Sequence, residues 1–260
     1  MAASRSFTFL GTGTSVGVPM IGCDCPVCRS DNPRNHRYRC AVLIRLPGGN
    51  LLIDTPPELR LQLLREKVRR IDAVLITHYH VDHLYGLDDL RPCAKILDGP
   101  LPLYCNAETE ERIRRVFAYA FHPDADKLPP GSLPRMRFER IETEPFTALG
   151  QRIVPIPLDH AQYRVLGFRI DDVAYCTDVN HIPEESWSRL QGLRILVLDA
   201  LRRKPHPGHF SVDQALEVIQ RLRPERAFLT HMGHELDHDE TNRSLPAGVE
   251  LAYDGLTFEF

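Results

Sequence analysis

The chain has 260 residues, of which 43% are hydrophobic and 26% charged, and its formal net charge is −3. The length fits one large α/β domain or two small ones, and these ordinary globular values allow a packed core. The slight negative charge argues against electrostatic capture of a nucleic-acid polymer or an anionic membrane surface. The N-terminus lacks the apolar segment of a secretory signal, and no apolar run reaches the about 18–20 residues that span a bilayer. We therefore expect a cytoplasmic protein with no membrane partner.

Short apolar runs bounded by turn residues predict strands along the whole chain. They cover 7–10, 41–46, 51–53, 73–76, 101–104, 152–156, 166–170, 173–176, 195–198 and 227–229. The tetrapeptide Pro47-Gly48-Gly49-Asn50 predicts a hairpin turn between the second and third runs. Because helical patterns separate the strands in both halves, we expect two packed sheets with helices outside, in a single domain over 1–260.

Two helices carry clear start signals. Asn106 is a good cap for a helix with an acidic first turn. Its predicted apolar face consists of Ile113, Val116, Phe117 and Ala120. Ser211 and Gln214 form a capping box at the start of the second helix. The apolar residues of that helix recur at helical spacing: Val212, Ala215, Leu216, Ile219 and Leu222.

A Pro-rich segment covers residues 122–135. It is either a domain linker or a surface loop over a site, and the strand patterns that follow it favour the loop. Lys127, Arg135 and the neighbouring Arg137 are candidates for contacts with a substrate phosphate.

The segment Thr-His-Tyr-His-Val-Asp-His at 77–83 directly follows a predicted buried strand. It supplies four side chains that bind metal ions: His78, His80, Asp82 and His83. Imidazole nitrogen together with carboxylate oxygen suits zinc, manganese or iron. His78 and His80 are two positions apart and can point the same way, so one ion could bind them and a second ion could bind Asp82 and His83.

Three later residues lie at the ends of apolar strands and are candidates for the remaining ligands. They are His160, Asp178 and His231. Each taken alone is more often an ordinary surface, core or turn residue. Beside the cluster at 78–83, their repeated placement at strand ends makes a shared site reasonable, and two divalent ions there would make water a nucleophile at neutral pH.

A second group of candidate ligands lies in a Cys-rich loop at 20–30. Cys23, Cys25 and Cys28 form Cys-x-Cys-x-x-Cys, a spacing that suits a structural Zn²⁺ with one further ligand. Spacing leaves that fourth ligand open, and we choose His234. The alternatives are redox-active thiols or free buried cysteines. The other four cysteines lie in or beside apolar segments and are predicted to be small core residues, namely Cys40, Cys93, Cys105 and Cys176.

The motif Thr-His-x-His-x-Asp-His resembles the signature of the metallo-β-lactamase superfamily, and His160, Asp178 and His231 match its later ligand positions in order. This resemblance implies an α/β fold, a four-layer αββα sandwich of the metallo-β-lactamase type, with a dinuclear site at one edge. It also implies that Asp178 bridges the two ions. Asp54 matches an early aspartate that supports the metal loop without binding metal, although an ordinary turn cap would look the same.

Further motifs are similar to the PhnP-like cyclic phosphate phosphodiesterase branch, associated with the carbon–phosphorus lyase pathway. They are the glycine-rich start at residues 11–19, the Cys-x-Cys-x-x-Cys loop, and Thr-His-x-x-His at 230–234. Relatives of this pattern include a pyrroloquinoline quinone biosynthesis protein. A dinucleotide-binding role for the glycine-rich start is disfavoured, because its third glycine, Gly17, is one place late and no helix opens there. The resemblance also implies a homodimer.

The expected function is hydrolysis of a small phosphodiester by a hydroxide bound to two Mn²⁺ or Zn²⁺ ions, with a third, structural Zn²⁺ in the Cys-rich loop. Candidate substrates are ribosyl 1,2-cyclic phosphate and 2′,3′-cyclic nucleotides. The catalytic residues are Asp82 and His209, the latter matching the position of the family's catalytic histidine, with His206 as a rival. The alternatives are thioester or lactone hydrolysis on the same frame, or a non-catalytic PqqB-like metal-binding protein.

Overall fold

The structure of the chain is a computed structural model and describes residues 5–260, apart from the side chain of Asp126. The strands in chain order are β1 (Ser6–Gly11), β2 (Ala41–Leu46), β3 (Gly49–Ile53), β4 (Ala73–Leu75), β5 (Leu101–Cys105), β6 (Met136–Arg140), β7 (Phe146–Ala148), β8 (Gln151–His160), β9 (Tyr163–Ile170), β10 (Val173–Cys176), β11 (Ile195–Asp199), β12 (Arg226–Thr230), β13 (Val249–Leu251) and β14 (Thr257–Glu259).

The α-helices are α1 (Leu59–Arg65), α2 (Val81–Leu84), α3 (Arg91–Leu97), α4 (Ala107–Val116), α5 (Glu184–Trp187), α6 (Val212–Leu222) and α7 (His238–Ser244). Short 3₁₀ helices cover Pro33–Asn35, Leu87–Leu90, Ala118–Phe121, Ala125–Lys127 and Ser188–Leu190. Within the described residues, none of these helices has the length and apolar character that crossing a membrane requires.

The strands form two seven-stranded sheets. The first has the order β14-β1-β2-β3-β4-β5-β6 and the second β13-β12-β11-β10-β9-β8-β7. In the first sheet β3, β4, β5 and β6 are parallel to one another. In the second sheet β10, β11, β12 and β13 are parallel to one another. The carboxyl ends of these parallel strands therefore lie at a common edge of each sheet.

Apolar side chains fill three layers between the elements. Aromatic residues lie between the sheets, where the ring of Phe258 stacks on Phe7 at 4.9 Å and on Phe228 at 5.1 Å. A second layer joins the other face of the second sheet to α6, and a third joins the first sheet to the helices outside it. Each buried Phe contributes about 1.5–3 kcal/mol through the apolar area removed from water. The layers are helix, sheet, sheet, helix, which confirms the predicted αββα sandwich.

The predicted helices and strands are present in the structure, with local differences in their bounds and exposed faces. Both helix caps are present, since Asn106 accepts a hydrogen bond from the Thr109 amide and Ser211 forms its capping box with Gln214. The predicted apolar face at 113–120 is wrong at Val116, which is 41% exposed. The hairpin turn is shorter than predicted, because Leu46 pairs with Gly49 and the turn contains only Pro47 and Gly48.

The largest difference in strand length concerns β8, which continues four residues past the predicted end at Ile156. It pairs with β9 from Ile153 onward, up to the pair His160 and Tyr163. The two prolines at 155 and 157 interrupt the apolar pattern, but the pairing with β9 holds the segment extended. His160 is thus the last residue of a strand, and the strand fixes its position.

Candidate metal centre

The candidate ligands meet because strands of both sheets end at one place. The loop 77–83 follows β4, Asp178 follows β10, His231 follows β12, and His160 is the last residue of β8. Crevices at the carboxyl ends of strands are the usual location of ligand sites in α/β sheets. The structure therefore brings together all seven predicted ligands of the dinuclear site, although they span more than 150 positions of the sequence.

Two of these residues have unusual backbone conformations. Asp178 has a φ of 52° and His231 a φ of 58°, and the supporting Asp54 has a φ of 67°. A left-handed backbone costs an L-residue about 1–2 kcal/mol. Such strain persists where the surrounding structure fixes it, most often at functional sites. Here each strained residue directly follows or nearly follows a strand and turns its side chain into the cluster.

The ligands form two groups that share one carboxylate. The first group contains His78, His80, His160 and Asp178, and the second contains Asp82, His83, Asp178 and His231. In each group the potential ligand atoms all lie within 4.8 Å of one another. This is the division that the sequence predicted, with one group built on His78 and His80 and the other on Asp82 and His83.

The two oxygens of Asp178 face different groups. Its Oδ1 lies 3.1 Å from His83 Nε2 and 3.2 Å from His231 Nδ1. Its Oδ2 lies 3.9 Å from His78 Nε2 and 3.8 Å from His160 Nε2. This orientation is the one that a carboxylate bridging two ions would need.

Three imidazoles are oriented through their Nδ1 atoms. The Nδ1 of His83 lies 2.7 Å from Asp54 Oδ2, that of His78 lies 3.0 Å from Thr77 Oγ1, and that of His160 lies 2.5 Å from the Gly208 carbonyl oxygen. Each of these bonds leaves Nε2 directed into the cluster. Hydrogen bonds of this kind fix the ring and the tautomer of metal-binding histidines.

Asp54 holds the metal-binding loop in place. Besides its bond to His83, its carboxylate accepts hydrogen bonds from the amide of Thr77 at 2.8 Å and from the Thr77 hydroxyl. All three residues are buried. Asp54 therefore joins both ends of the segment 77–83, in agreement with the supporting role implied by the family resemblance.

Several buried nitrogen atoms in the cluster lack hydrogen-bond partners. They are Nε2 of His78, Nε2 of His83 and both ring nitrogens of His231. A buried polar group without a partner costs about 1–3 kcal/mol, so native structures rarely keep several of them together. Four such atoms around one carboxylate fit a site built for cations.

The pKa shifts within the cluster follow from burial and from the charges of the neighbouring ligands. Burial alone would raise the pKa of Asp178, but the imidazoles of His231 and His83 hold it well below its usual value. Burial also lowers the pKa of His78 well below its usual value, and the neighbouring His83 adds to this effect. These shifts put Asp178 and His78 in the protonation states that bind metal. Burial alone would lower the pKa of His83, but the carboxylates of Asp178, Asp82 and Asp54 raise it well above its usual value, so His83 would release a proton on binding an ion.

His209 lies against the ligand cluster and is paired with a buried carboxylate. Its ring is 4.6 Å from that of His160 and stacks on that of His231 at 4.7 Å. Its Nδ1 lies 2.7 Å from Asp199 Oδ2. Burial alone would lower the pKa of His209, but the Asp199 carboxylate outweighs burial and raises this pKa to about 9. The rival His206 is half-buried, and its ring lies 5.2 Å from that of His209.

The sequence prediction missed Asp199. This residue ends β11, is fully buried, and also accepts a hydrogen bond from the Val179 amide at 2.9 Å. An acidic residue at the end of an apolar strand was the available signal, because Asp54 and Asp178 occupy equivalent positions. Asp199 belongs to no spaced motif, and its partner His209 follows ten residues later, so the pairing emerges only from the fold.

The Cys-rich loop forms a second candidate metal site. The sulfur atoms of Cys23, Cys25 and Cys28 and a ring nitrogen of His234 all lie within 4.8 Å of one another. His234 Nδ1 is 3.5 Å from Cys23 Sγ and 3.3 Å from Cys25 Sγ. The structure thus brings the four predicted ligands together. The other four cysteines, at 40, 93, 105 and 176, are buried as predicted.

Arg37, which follows the Cys-rich loop in the chain, holds the segment that carries His231 and His234. Its guanidinium is buried and donates to the carbonyl oxygens of Gly233 at 2.9 Å and Leu236 at 2.6 Å. The Cys-rich loop and the dinuclear cluster therefore share one supporting segment. A substitution that displaces the Cys-rich loop is therefore expected to displace ligands of the dinuclear cluster as well.

The Pro-rich segment 122–135 contacts helix α3. Its contacts run to α3, where Arg91 reaches the Ser132 carbonyl oxygen and Lys95 packs near Gly131. Lys127 pairs with Asp124 at 2.5 Å, and Arg137 pairs with Glu139. These contacts place part of the segment against α3, and its contact with a substrate phosphate stays a prediction.

Comparison with known proteins agrees with this geometry. The family model described as "Beta-lactamase superfamily domain" matches residues 49–232, and the chain belongs to this superfamily. Within the superfamily it falls in the PhnP family. A crystal structure described as a new diphosphatase from that family is 42% identical, covers 100% of this chain and 98% of its own, and superimposes with a TM-score of 0.92.

Two curated relatives extend the comparison. An "Octanoyltransferase" from Porphyromonas gingivalis is 35% identical over 251 residues, which are 95% of this chain and 50% of that protein. A human "Zinc phosphodiesterase ELAC protein 1" is 24% identical over 249 residues, which are 83% of this chain and 62% of that protein. The chain thus spans between half and two thirds of the length of either relative. Fold, family and ligand cluster together define a member of the metallo-β-lactamase superfamily with a candidate metal centre.

Proposed function

We propose that this chain is a metal-dependent phosphodiesterase that hydrolyses small phosphodiesters, including cyclic ones. One observation carries the proposal: two four-residue ligand groups share Asp178, and a buried His209–Asp199 pair lies directly beside them. The similarity to a PhnP-family diphosphatase and to a zinc phosphodiesterase supports the same reaction class.

The ligand sets fit two divalent ions of the Zn²⁺ or Mn²⁺ type. His78, His80, His160 and Asp178 offer three nitrogens and one oxygen, while Asp82, His83, Asp178 and His231 offer two nitrogens and two oxygens. Both sets are within the range that zinc and manganese accept. When bound, the ions would supply a water-derived nucleophile at neutral pH and positive charge for the phosphoryl oxygens. Asp82 would act in catalysis as one of these ligands.

His209 is the proposed proton donor to the leaving group. An alkoxide leaves poorly without a proton, and a positioned general acid typically contributes about 10²–10⁴ in rate. The bond from Nδ1 to Asp199 fixes the ring, so Nε2 is the nitrogen that would deliver the proton. The Asp199 carboxylate favours the protonated ring, as the raised pKa of His209 indicates. Asp199 would thus be a positioning residue that acts through His209.

The Cys-rich loop is proposed to bind one structural Zn²⁺ through Cys23, Cys25, Cys28 and His234. Three sulfurs and one nitrogen are a donor set that suits Zn²⁺ and would leave it no open position. Burial raises the pKa of the Cys28 thiol to about 11, and the neighbouring sulfur atoms add to this. A bound Zn²⁺ would supply the positive charge that favours ionisation of the three sulfurs together.

A second candidate is hydrolysis of a thioester or lactone on the same frame. The similarity to the Porphyromonas protein named for octanoyl transfer favours it, because that protein handles an acyl group. The chain matches only half of that protein, however, and the His209–Asp199 pair is better explained by a leaving group that needs a proton.

A turnover panel on the metal-loaded protein tests the proposal. Protein loaded with Mn²⁺ or with Zn²⁺ would be given bis(p-nitrophenyl) phosphate, ribose cyclic phosphates, 2′,3′-cyclic nucleotides, a thioester and a lactone. We expect turnover of the phosphodiesters in preference to the acyl substrates. Preference for the thioester or lactone would transfer the assignment to the second candidate. Tight metal binding without turnover of any substrate would indicate an accessory protein. The cytoplasmic location and the homodimer stay predictions.

A further inference from the structure

The two ligand groups differ in exposure. All four members of the group with His83 and His231 are buried, whereas His80 in the other group is half-buried. A substrate can therefore approach the cluster from the side of His80. The side chains around His80 are the ones that a substrate would meet outside the reacting phosphate.

Tyr163 borders His80 on this side. Its ring centroid lies 5.2 Å from that of His80 with the two planes at 89°. It begins β9 and pairs with His160, the last residue of β8, across the turn at 161–162. The hairpin thus fixes Tyr163 relative to a proposed metal ligand, and yet 37% of the tyrosine remains exposed.

A second tyrosine supports the first. The ring of Tyr79 lies 6.1 Å from that of Tyr163, at 82°, and the Arg112 guanidinium lies 5.1 Å above the Tyr79 ring. Arg112 is only loosely paired, with its nitrogen 3.9 Å from Glu108. The side of the site near His80 therefore combines partly exposed aromatic surface with the Arg112 guanidinium and its neighbouring Glu108 carboxylate.

The aromatic surface of Tyr163 suits a ligand with a planar ring. Aromatic side chains beside a cationic groove are the usual platform for stacking nucleobases. A nucleobase would stack on an exposed tyrosine with its whole planar face, whereas a ribose ring without a base offers only a few C–H groups. Tyr163 could instead act only as a cover for His80, and that role would affect all substrates alike.

We propose that Tyr163, backed by Tyr79, is a stacking platform that selects phosphodiesters carrying a nucleobase over those built from sugar alone. The proposal rests on the phosphodiesterase function proposed above and names the substrate class of that site. It makes Tyr163 a specificity-determining residue.

The test compares Tyr163→Ala and Tyr163→Phe with the wild-type enzyme on two substrates, adenosine 2′,3′-cyclic phosphate and ribose 1,2-cyclic phosphate. Tyr119→Ala is the matched control, because Tyr119 is similarly exposed, at 47%, and its ring packs on Phe117 instead of a candidate ligand. We expect Tyr163→Ala to reduce the ratio of kcat/KM for the nucleotide to kcat/KM for the sugar phosphate by roughly tenfold. Tyr163→Phe and Tyr119→Ala should keep the wild-type ratio. An unchanged ratio in Tyr163→Ala, whether both activities fall together or neither falls, would overturn the proposal.

A binding measurement separates this proposal from the proposed function. Calorimetry with the metal-loaded protein would compare adenosine monophosphate with ribose 5-phosphate, neither of which is a diester. We expect wild-type protein to bind the nucleotide more tightly and Tyr163→Ala to lose roughly tenfold of that advantage. Absence of phosphodiester turnover together with this difference would refute the phosphodiesterase and leave the platform standing. Equal binding of the two ligands by wild-type protein would refute the platform, whatever the turnover.

Discussion

Replacing His209 by Ala tests the assignment of the proton donor, because its effect should depend on the leaving group. A ribose alkoxide needs a proton as it departs, whereas p-nitrophenolate is a far weaker base and departs without one. Removing the donor should therefore slow the release of a ribose hydroxyl much more than the release of p-nitrophenolate.

The size of the effect follows from the position of His209. The ring is buried beside two proposed ligands, and its Nδ1 lies 2.7 Å from an ionisable buried carboxylate, so the donor is fixed before the substrate binds. General acids contribute about 10²–10⁴ in rate, which equals about 3–5 kcal/mol of barrier. We expect a loss in this range for a cyclic nucleotide and a loss below about tenfold for bis(p-nitrophenyl) phosphate.

The assay is steady-state kinetics of both substrates at equal metal content, with His206→Ala as the control variant. His206 is the neighbouring imidazole, and it is half-buried and makes no bond to Asp199. Removing His209 leaves the buried Asp199 carboxylate with the Val179 amide as its remaining hydrogen-bond donor. The free energy of unfolding of the variant should therefore be measured as well. Equal losses on the two substrates, or full activity of His209→Ala with intact metal content, would refute the assignment.

Three further predictions concern the surroundings of the two clusters. Asp199→Asn should keep its metal ions and reduce kcat about 10–100-fold, mainly for alkoxide leaving groups, which kinetics with metal analysis would show. Cys25→Ser should remove one equivalent of zinc and lower the melting temperature, measured by metal analysis and calorimetry, whereas unchanged zinc content would exclude Cys25 as a ligand. Burial, with help from Arg37, lowers the pKa of His238 from 6.5 to about 4. The unfolded chain thus takes up a proton here that the folded chain rejects, and stability falls as the pH drops from 6.5 towards 4. Between pH 7 and pH 5, the free energy of unfolding of His238→Asn should fall by about 2 kcal/mol less than that of the wild type, as measured by urea unfolding. Equal falls in the two proteins would refute this.

The parts of the site that the sequence predicts are those with short-range patterns. His78, His80, Asp82 and His83 lie within six positions, so their meeting requires little of the fold. His160, Asp178 and His231 were predictable because each lies at or just beyond the end of an apolar strand. Their convergence depends on both sheets presenting these ends at one edge, as the αββα resemblance implied. Their proximity is now observed, while their binding of metal stays a prediction.

The parts that the sequence did not predict depend on long-range contacts. Asp199 acquires a role only because the loop at 205–210 folds back and places His209 on it. The sequence did not predict four strands, namely β6, β7, β13 and β14. These strands are short or carry charged residues, so their β propensity is weak. Pairing with neighbouring strands is what holds them extended. The segment 122–135 has loop composition, but composition does not say which face a loop covers, and α3 decides that here.

Metal analysis of Asp178→Ala tests the central claim most directly. The purified wild-type protein and the variant, both equilibrated with excess Zn²⁺ or Mn²⁺ and then desalted, would be compared by mass spectrometry of the bound metal. Since the two oxygens of Asp178 face the two ligand groups, its loss should weaken both sites at once. We expect two ions in the His/Asp cluster and one zinc in the Cys-rich loop of the wild type, and only the zinc in the variant. A variant that still holds all of its ions would contradict the shared role of Asp178, and a wild type without ions beyond that zinc would contradict the dinuclear site itself.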